Sequence, residues 1–164
     1  MNKIESELKA LGIYQIIGGA IGIFASLFAI ISSQSTLATY VALSANLVFA
    51  FSIVCGVWCV MEKAEAISLS LINQYLQTIG FSIMGLGFSY FSGVYFSIGL
   101  DLTNGFDFKL HIGFSQLYLN VNYNSQDLIV NINIVAIALI NWIDKLKVKA
   151  GLNKKNLLTS STVG

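Results

Sequence analysis

Four stretches of the chain run without Asp, Glu, Lys or His for long enough to matter: 11–31, 37–61, 67–100 and 128–143. About 20 helical residues cross the roughly 30 Å of bilayer hydrocarbon, so each stretch reads as a transmembrane candidate. The third is too long for one crossing, and its first part is polar, with Ser68, Ser70, Asn73, Gln74 and Gln77. That part predicts a helix at the interface, leading into a crossing over 78–98. Ahead of the first stretch, Glu5 and Lys9 stand four apart while Ile4, Leu8 and Leu11 share a face, so the helix starts before the membrane.

Between Asp101 and Asp127 the period changes. Phe106, Phe108, Leu110, Ile112 and Phe114 alternate with Asp107, Lys109, His111 and Gly113, and after Ser115-Gln116 the apolar phase moves to Leu117, Leu119, Val121 and Tyr123. Strict alternation predicts strand, and the slip predicts a turn or bulge. The reading is an amphipathic β-hairpin over about 106–123, opened by the Asn104-Gly105 turn signal. Leu128, Val130, Ile132 and Ile134 also alternate, with Asn131 and Asn133 between. As a third strand, however, this segment would leave only 135–143 to cross, so the helical reading is preferred.

Composition supports lipid as the medium. The 164 residues are 55% apolar and 10% charged, with net charge +1, against about 25% charge in soluble domains. A water-soluble globule, a disordered chain, a nucleic-acid binder and a disulfide-stapled scaffold are thereby disfavoured. There is no proline to kink a helix and no arginine to clamp phosphate. Lys3, Lys9, Lys63, Lys145, Lys147, Lys149, Lys154 and Lys155 fall on one side of the predicted spans and Lys109 on the other, which places both termini inside. The first stretch has no cleavage site and is kept as a helix. Together with a composition typical of AT-rich genomes, this predicts an all-α, multi-pass protein of a bacterial cytoplasmic membrane: a four-transmembrane-helix bundle, N-in and C-in, with an extracytoplasmic hairpin between helices 3 and 4 and a flexible tail over 150–164.

Candidate chemistry is sparse. Gly18, Gly22 and Ser26 in the first span, and Gly85, Ser89, Gly93 and Ser97 in the third, form small-residue ridges at four-residue spacing that let helices approach closely. They are read as facing each other, with a homodimer or partner groove as the alternative. Gln15, Asn46, Gln77, Asn131 and Asn141 are intramembrane amides, suited to interhelical hydrogen bonds or to lining a polar path. Cys55 and Cys59 lie one turn apart in neither a redox nor a metal spacing, and His111 is a lone histidine, so no metal or cofactor is expected. No nucleophile elbow, zinc motif or phosphate loop occurs. The echo between Gln15-Ile16-Ile17-Gly18 and Gln77-Thr78-Ile79-Gly80 raises the idea of a duplicated helix pair. The function expected is a non-enzymatic accessory subunit of a membrane complex, docking a membrane partner through Phe106, Phe108, Leu110, Ile112 and Phe114. A small oligomeric channel along the amides is the alternative, and a membrane enzyme is disfavoured.

Overall fold

The computed structural model describes residues 3–32, 36–121 and 127–161, and contains four helices and a four-stranded antiparallel sheet. Helices α1 (Lys3–Ser32) and α2 (Thr36–Val60) form a long apolar hairpin. α2 stops where Glu62 takes a left-handed conformation, letting the Lys63 amide reach back to the Trp58 carbonyl at 3.0 Å. α3 (Ala66–Thr78) then runs back along α2 into β1 (Ile79–Ile83). Strands β2 (Leu86–Asp101), β3 (Asp107–Val121) and β4 (Leu128–Asn133) follow, and α4 (Ile134–Ser161) ends the chain.

The all-α four-helix bundle is therefore wrong: the fold mixes helices with a sheet. Among the described residues, only α1 and the Thr39–Val60 part of α2 are long and apolar enough to cross a membrane. The expected third crossing, 78–98, is strand. There Ile79, Phe81, Phe88, Val94, Phe96 and Ile98 alternate with Gly, Ser and Tyr95; the glycines disfavour helix, and the β-branched and aromatic residues favour strand. The four-residue ridge of Gly85, Ser89, Gly93 and Ser97 is also an even-numbered spacing, so it marks one face of a strand as readily as one face of a helix. The fourth crossing fails for a different reason. The Leu128–Asn133 alternation is β4, and Asn133 caps the following helix, its Oδ1 accepting the Val135 amide at 3.1 Å. The helical reading of 128–143 needs a crossing there and a lysine-rich tail kept inside, whereas among the described residues no helix in this segment is long and apolar enough to cross. The segment from 150, read as a tail, is carried on α4 to Ser161.

Nor is 106–123 a hairpin in itself. It is the single strand β3, paired with β2 along its whole length, and residues 122–123 of the expected hairpin lie outside the described residues. The slip at Ser115-Gln116 is a bulge: Ser92 and Gly93 of β2 face Ser115 of β3, with Gly93 at φ +102°. At this bulge β2 bends. Its first arm pairs with β1 (Phe81↔Phe88) and its second with β4 (Ile98↔Ile132), while β1 and β4 pair with each other (Ile79↔Ile132), so the sheet curls round into a cup. A two-residue turn with Met84 and Gly85 both at positive φ joins β1 to β2.

Along the upper part of α1 and along α3, small and polar residues are buried and large apolar ones exposed, the reverse of a water-soluble protein. α1 buries Gly12, Gln15, Gly18, Gly19, Gly22 and Ser26 while exposing Ile13, Ile17, Phe24, Phe28 and Ile31. α3 buries Ser70, Asn73, Gln74 and Gln77 and exposes Ile72, Tyr75 and Leu76. Charges collect at two ends. At one, here the base, Lys9 pairs with Glu62 at 3.0 Å and Lys149 with Glu7 at 3.2 Å around a core of Leu8, Leu11, Cys59, Ala66 and Ile143. At the other, the rim, stand Asp101, Asp107, Lys109 and Asp127 around the tips of β2, β3 and β4.

Candidate functional site

Two polar interiors and one apolar wall make up the candidate site. The first interior lies where α1, α2, α3 and the bend of β2 meet. Ser52 is its hub: its hydroxyl donates to the Gln15 carbonyl (3.2 Å) and accepts from Asn73 Nδ2 (3.1 Å) and the Ser92 hydroxyl (2.8 Å). Tyr90 OH donates to Asn73 Oδ1 at 3.1 Å, Ser70 donates to Gln15 Oε1 at 3.2 Å, and Gln77 Oε1 accepts the Ser92 amide at 2.8 Å. Cys59 Sγ is 3.1 Å from Ser70 Oγ; it and Cys55 are free, buried thiols. Gln15, Gln74 and Gln77 are at most 2% exposed, yet Gln15 Nε2, Gln77 Nε2 and both amide atoms of Gln74 find no hydrogen-bond partner in the protein.

Glycines set this arrangement. Any Cβ at Gly18 would lie 2.4 Å from the Gly93 backbone nitrogen, so helix and strand backbones touch. Ser115, opposite the bulge, accepts the Gly93 amide at 2.9 Å and donates to the Gly18 carbonyl at 2.6 Å. Tyr14 OH donates to the Val94 carbonyl at 2.9 Å.

The second interior is the cup, a cavity of about 260 Å³ on the concave face of the sheet, lined by Ser82, Ser89, Ser97, His111, Gln116 and Asn131 among others. Phe91 and Tyr95 stack across the bend at 4.3 Å, and Tyr95 OH donates to Gln116 Oε1 at 2.6 Å. At the rim, the Lys109 ammonium donates to Asp101, which also accepts the Thr103 amide at 2.9 Å. The Lys109 hydrogen bond first, then Thr103, holds the Asp101 carboxyl well below the usual carboxylate range, and Lys109 is raised in return. Among the described residues, no group of three His, Cys, Asp or Glu is placed to hold a metal.

The apolar wall is the convex face of the second arm. Phe106, Phe108, Leu110, Ile112 and Phe114 are 64–77% exposed, next to Val94 and Ile98 of β2. The convex face of the first arm is covered instead: Tyr90, Phe88 and Leu117 pack on Ala45, Phe49 and Ile23 of α1 and α2. β3 is an edge strand whose one ladder partner among the described residues is β2.

The other predicted residues scatter. Gln15 and Gln77 meet in the first interior, but Asn46 accepts from Ser26 at 2.7 Å between α1 and α2, Asn131 lines the cup, and Asn141 is exposed and bonds its own helix at Ile137. Gly18 and Gly93 meet as helix on strand, Gly22 backs onto the Phe49 ring, Gly85 sits in the turn, and Ser89 and Ser97 face the cup. Gln15 is helical where its echo Gln77 ends α3 and Gly80 lies in β1, so the matched tetrapeptides do not share a structure. Sequence reasoning missed Ser52, Asn73 and Gln74 as a cluster; the polar face Ser70, Asn73, Gln74 and Gln77 of α3 was the available signal. No family model matches the chain, and neither a curated protein nor a solved structure matches it significantly.

Proposed function

We propose that this chain is a non-enzymatic protein of a bacterial cytoplasmic membrane that acts as an interaction subunit of a membrane assembly, joined to its partner by strand addition along the 108–114 stretch of the edge strand β3. The observation that carries it is the edge itself. Natural edge strands are guarded by proline, charge or a covering element, whereas β3 runs for 15 residues with no proline and no Asp, Glu, Lys or Arg after Lys109. The exposed aromatic and aliphatic side chains of the wall beside it suit an apolar environment for that joint. The α1–α2 hairpin supplies the membrane anchor, and the lysines gathered at the base favour a cytoplasmic base and an outer rim.

Native mass spectrometry of the chain taken from its own membranes in mild detergent tests this, combined with hydrogen exchange. A stoichiometric second chain, with the β3 amides at 108–114 protected until the assembly is dissociated, is the expected result. A monomer in which alternate β3 amides exchange freely overturns it.

A second reading, a small channel or facilitator, is supported by one observation: the cup and the amide cluster follow one another along the molecule, separated by the stacked Phe91 and Tyr95. Solute flux into liposomes carrying a purified homo-oligomer is its test.

A further inference from the structure

We infer that the convex wall of the sheet is itself embedded in the bilayer, in contact with lipid acyl chains at the same depth as the α1–α2 hairpin. This rests on the membrane reading above and names what the exposed face of β3 meets. The argument is one of depth. The sheet is not tethered beyond the ends of the hairpin but seated against its middle: Tyr14 meets Val94, Gly18 meets Gly93 and Ser115, and Ile23 and Phe49 meet Tyr90 and Leu117. Higher still, Leu119 shares an apolar groove of about 470 Å³ with Ala29 and Val41. From Tyr14 to Ala29 the seam covers about 22 Å of helix axis, most of the hydrocarbon thickness. If the hairpin crosses, the sheet lies beside it in the same slab.

The side chains are distributed as that position requires. On the convex face, cross-strand rows read Phe108, Leu100, Val130, Phe81 and Leu110, Ile98, Ile132, Ile79. On the concave face the same strands present Lys109, Gly99, Asn131, Gly80 and His111, Ser97, Asn133. Polar inside and apolar outside is the alternation of a lipid-facing barrel wall, and it continues the apolar exterior of α1 and α2 without a charged break. Among the described residues, the charges stand at the rim and at the base. An open ladder edge is not tolerated in hydrocarbon, so insertion requires the β3 edge to be paired, which ties the wall to the strand addition proposed above.

Site-directed fluorescence quenching tests it on the full chain in phosphatidylcholine/phosphatidylglycerol vesicles. Single cysteines are introduced as Leu110→Cys, His111→Cys, Ile112→Cys and, on α1, Phe24→Cys; Cys55 and Cys59 are fully buried and stay unlabelled in the folded protein. Each is labelled with an environment-sensitive fluorophore and quenched by a nitroxide midway along the acyl chain or by aqueous iodide. Lipid-borne quenching at 110 and 112 comparable to that at 24, with 111 protected from it, is the expected result. Quenching at 24 alone, with 110 and 112 open to iodide, overturns the embedded wall and leaves the membrane reading standing. Equal quenching at 110, 111 and 112 overturns the two-faced strand, and lipid quenching at none of the four overturns the membrane reading as well.

Discussion

The amide cluster and the cup are both polar interiors behind apolar exteriors, yet they are built by different means. Around Ser52, helices approach through glycines whose separation is fixed by backbone contact, so side chains take whatever partners remain in reach, and four amide atoms go without. In the cup, residue parity sorts the strands: even a curled sheet sends alternate residues to opposite faces. There, among the described residues, the buried side-chain atom without a partner is Asn131 Oδ1. Helix packing buys closeness at the expense of hydrogen bonding, whereas strand pairing keeps the sorting and leaves an edge to be covered.

The sharpest way to break the contrast is at its shared seam. Gly18→Val places a branched side chain where the β2 backbone already stands, and is expected to cost upward of about 3 kcal/mol. Loss of cooperative thermal unfolding in detergent, followed by circular dichroism, would show it, with Gly151→Ala, which meets nothing within 4 Å, as the silent control. Next, Ser52→Ala strips the hub of three hydrogen bonds and should destabilise by about 1–3 kcal/mol. Gln74→Met should act in the opposite direction, stabilising by about 1 kcal/mol, because it replaces a buried amide that has no partner with an apolar group of similar size. Equal signs for these two variants in the same denaturation series would refute the picture of an under-satisfied helix core. In the cup, Tyr95→Phe removes one bond to Gln116 and should cost about 1 kcal/mol.

The smallest effect is at the rim and depends on pH. Because the Asp101 carboxyl is held below its ordinary value, its contribution is complete above about pH 4 and fades as pH falls below that. Lys109, being raised, contributes fully below the ordinary lysine value and loses its contribution as pH climbs past it. Amide exchange at Leu102, which donates to the Leu128 carbonyl at 2.8 Å, and at Leu128, which donates to Thr103 Oγ1 at 3.1 Å, should quicken at both extremes, and Asp101→Asn should flatten both limbs.

Much of this was legible in the sequence. Stretches 11–31 and 37–61 mark the two long apolar helices, and the alternation after Asp107, with its slip at Ser115, marks β3 and its bulge. What was not legible is pairing. Nothing local says that Phe108 to Phe114 pair with 94–100 rather than with the residues that follow them, since a ladder partner is chosen by tertiary contact. The segment 78–98 misleads because glycine and serine at even intervals satisfy a helix ridge and a strand face alike. Leu128–Asn133 misleads because its alternation lies within a charge-free stretch, 128–143, followed by lysines, which has the outline of a crossing helix. For the site, α3's polar face announced a buried cluster, but its meeting with Ser52 and Tyr90 depended on the sheet.

Two helix–strand junctions have mechanical consequences. α3 passes into β1 at Thr78–Ile79, and β4 into α4 at Asn133–Ile134, without a single intervening residue. Large backbone rearrangements are absorbed by a few hinge positions in loops or at element ends, and neither passage has a loop to supply them. A tilt imposed on α4 from the lysine-bearing side is therefore delivered to β4, and through its neighbours to the rim, as a lever delivers a push.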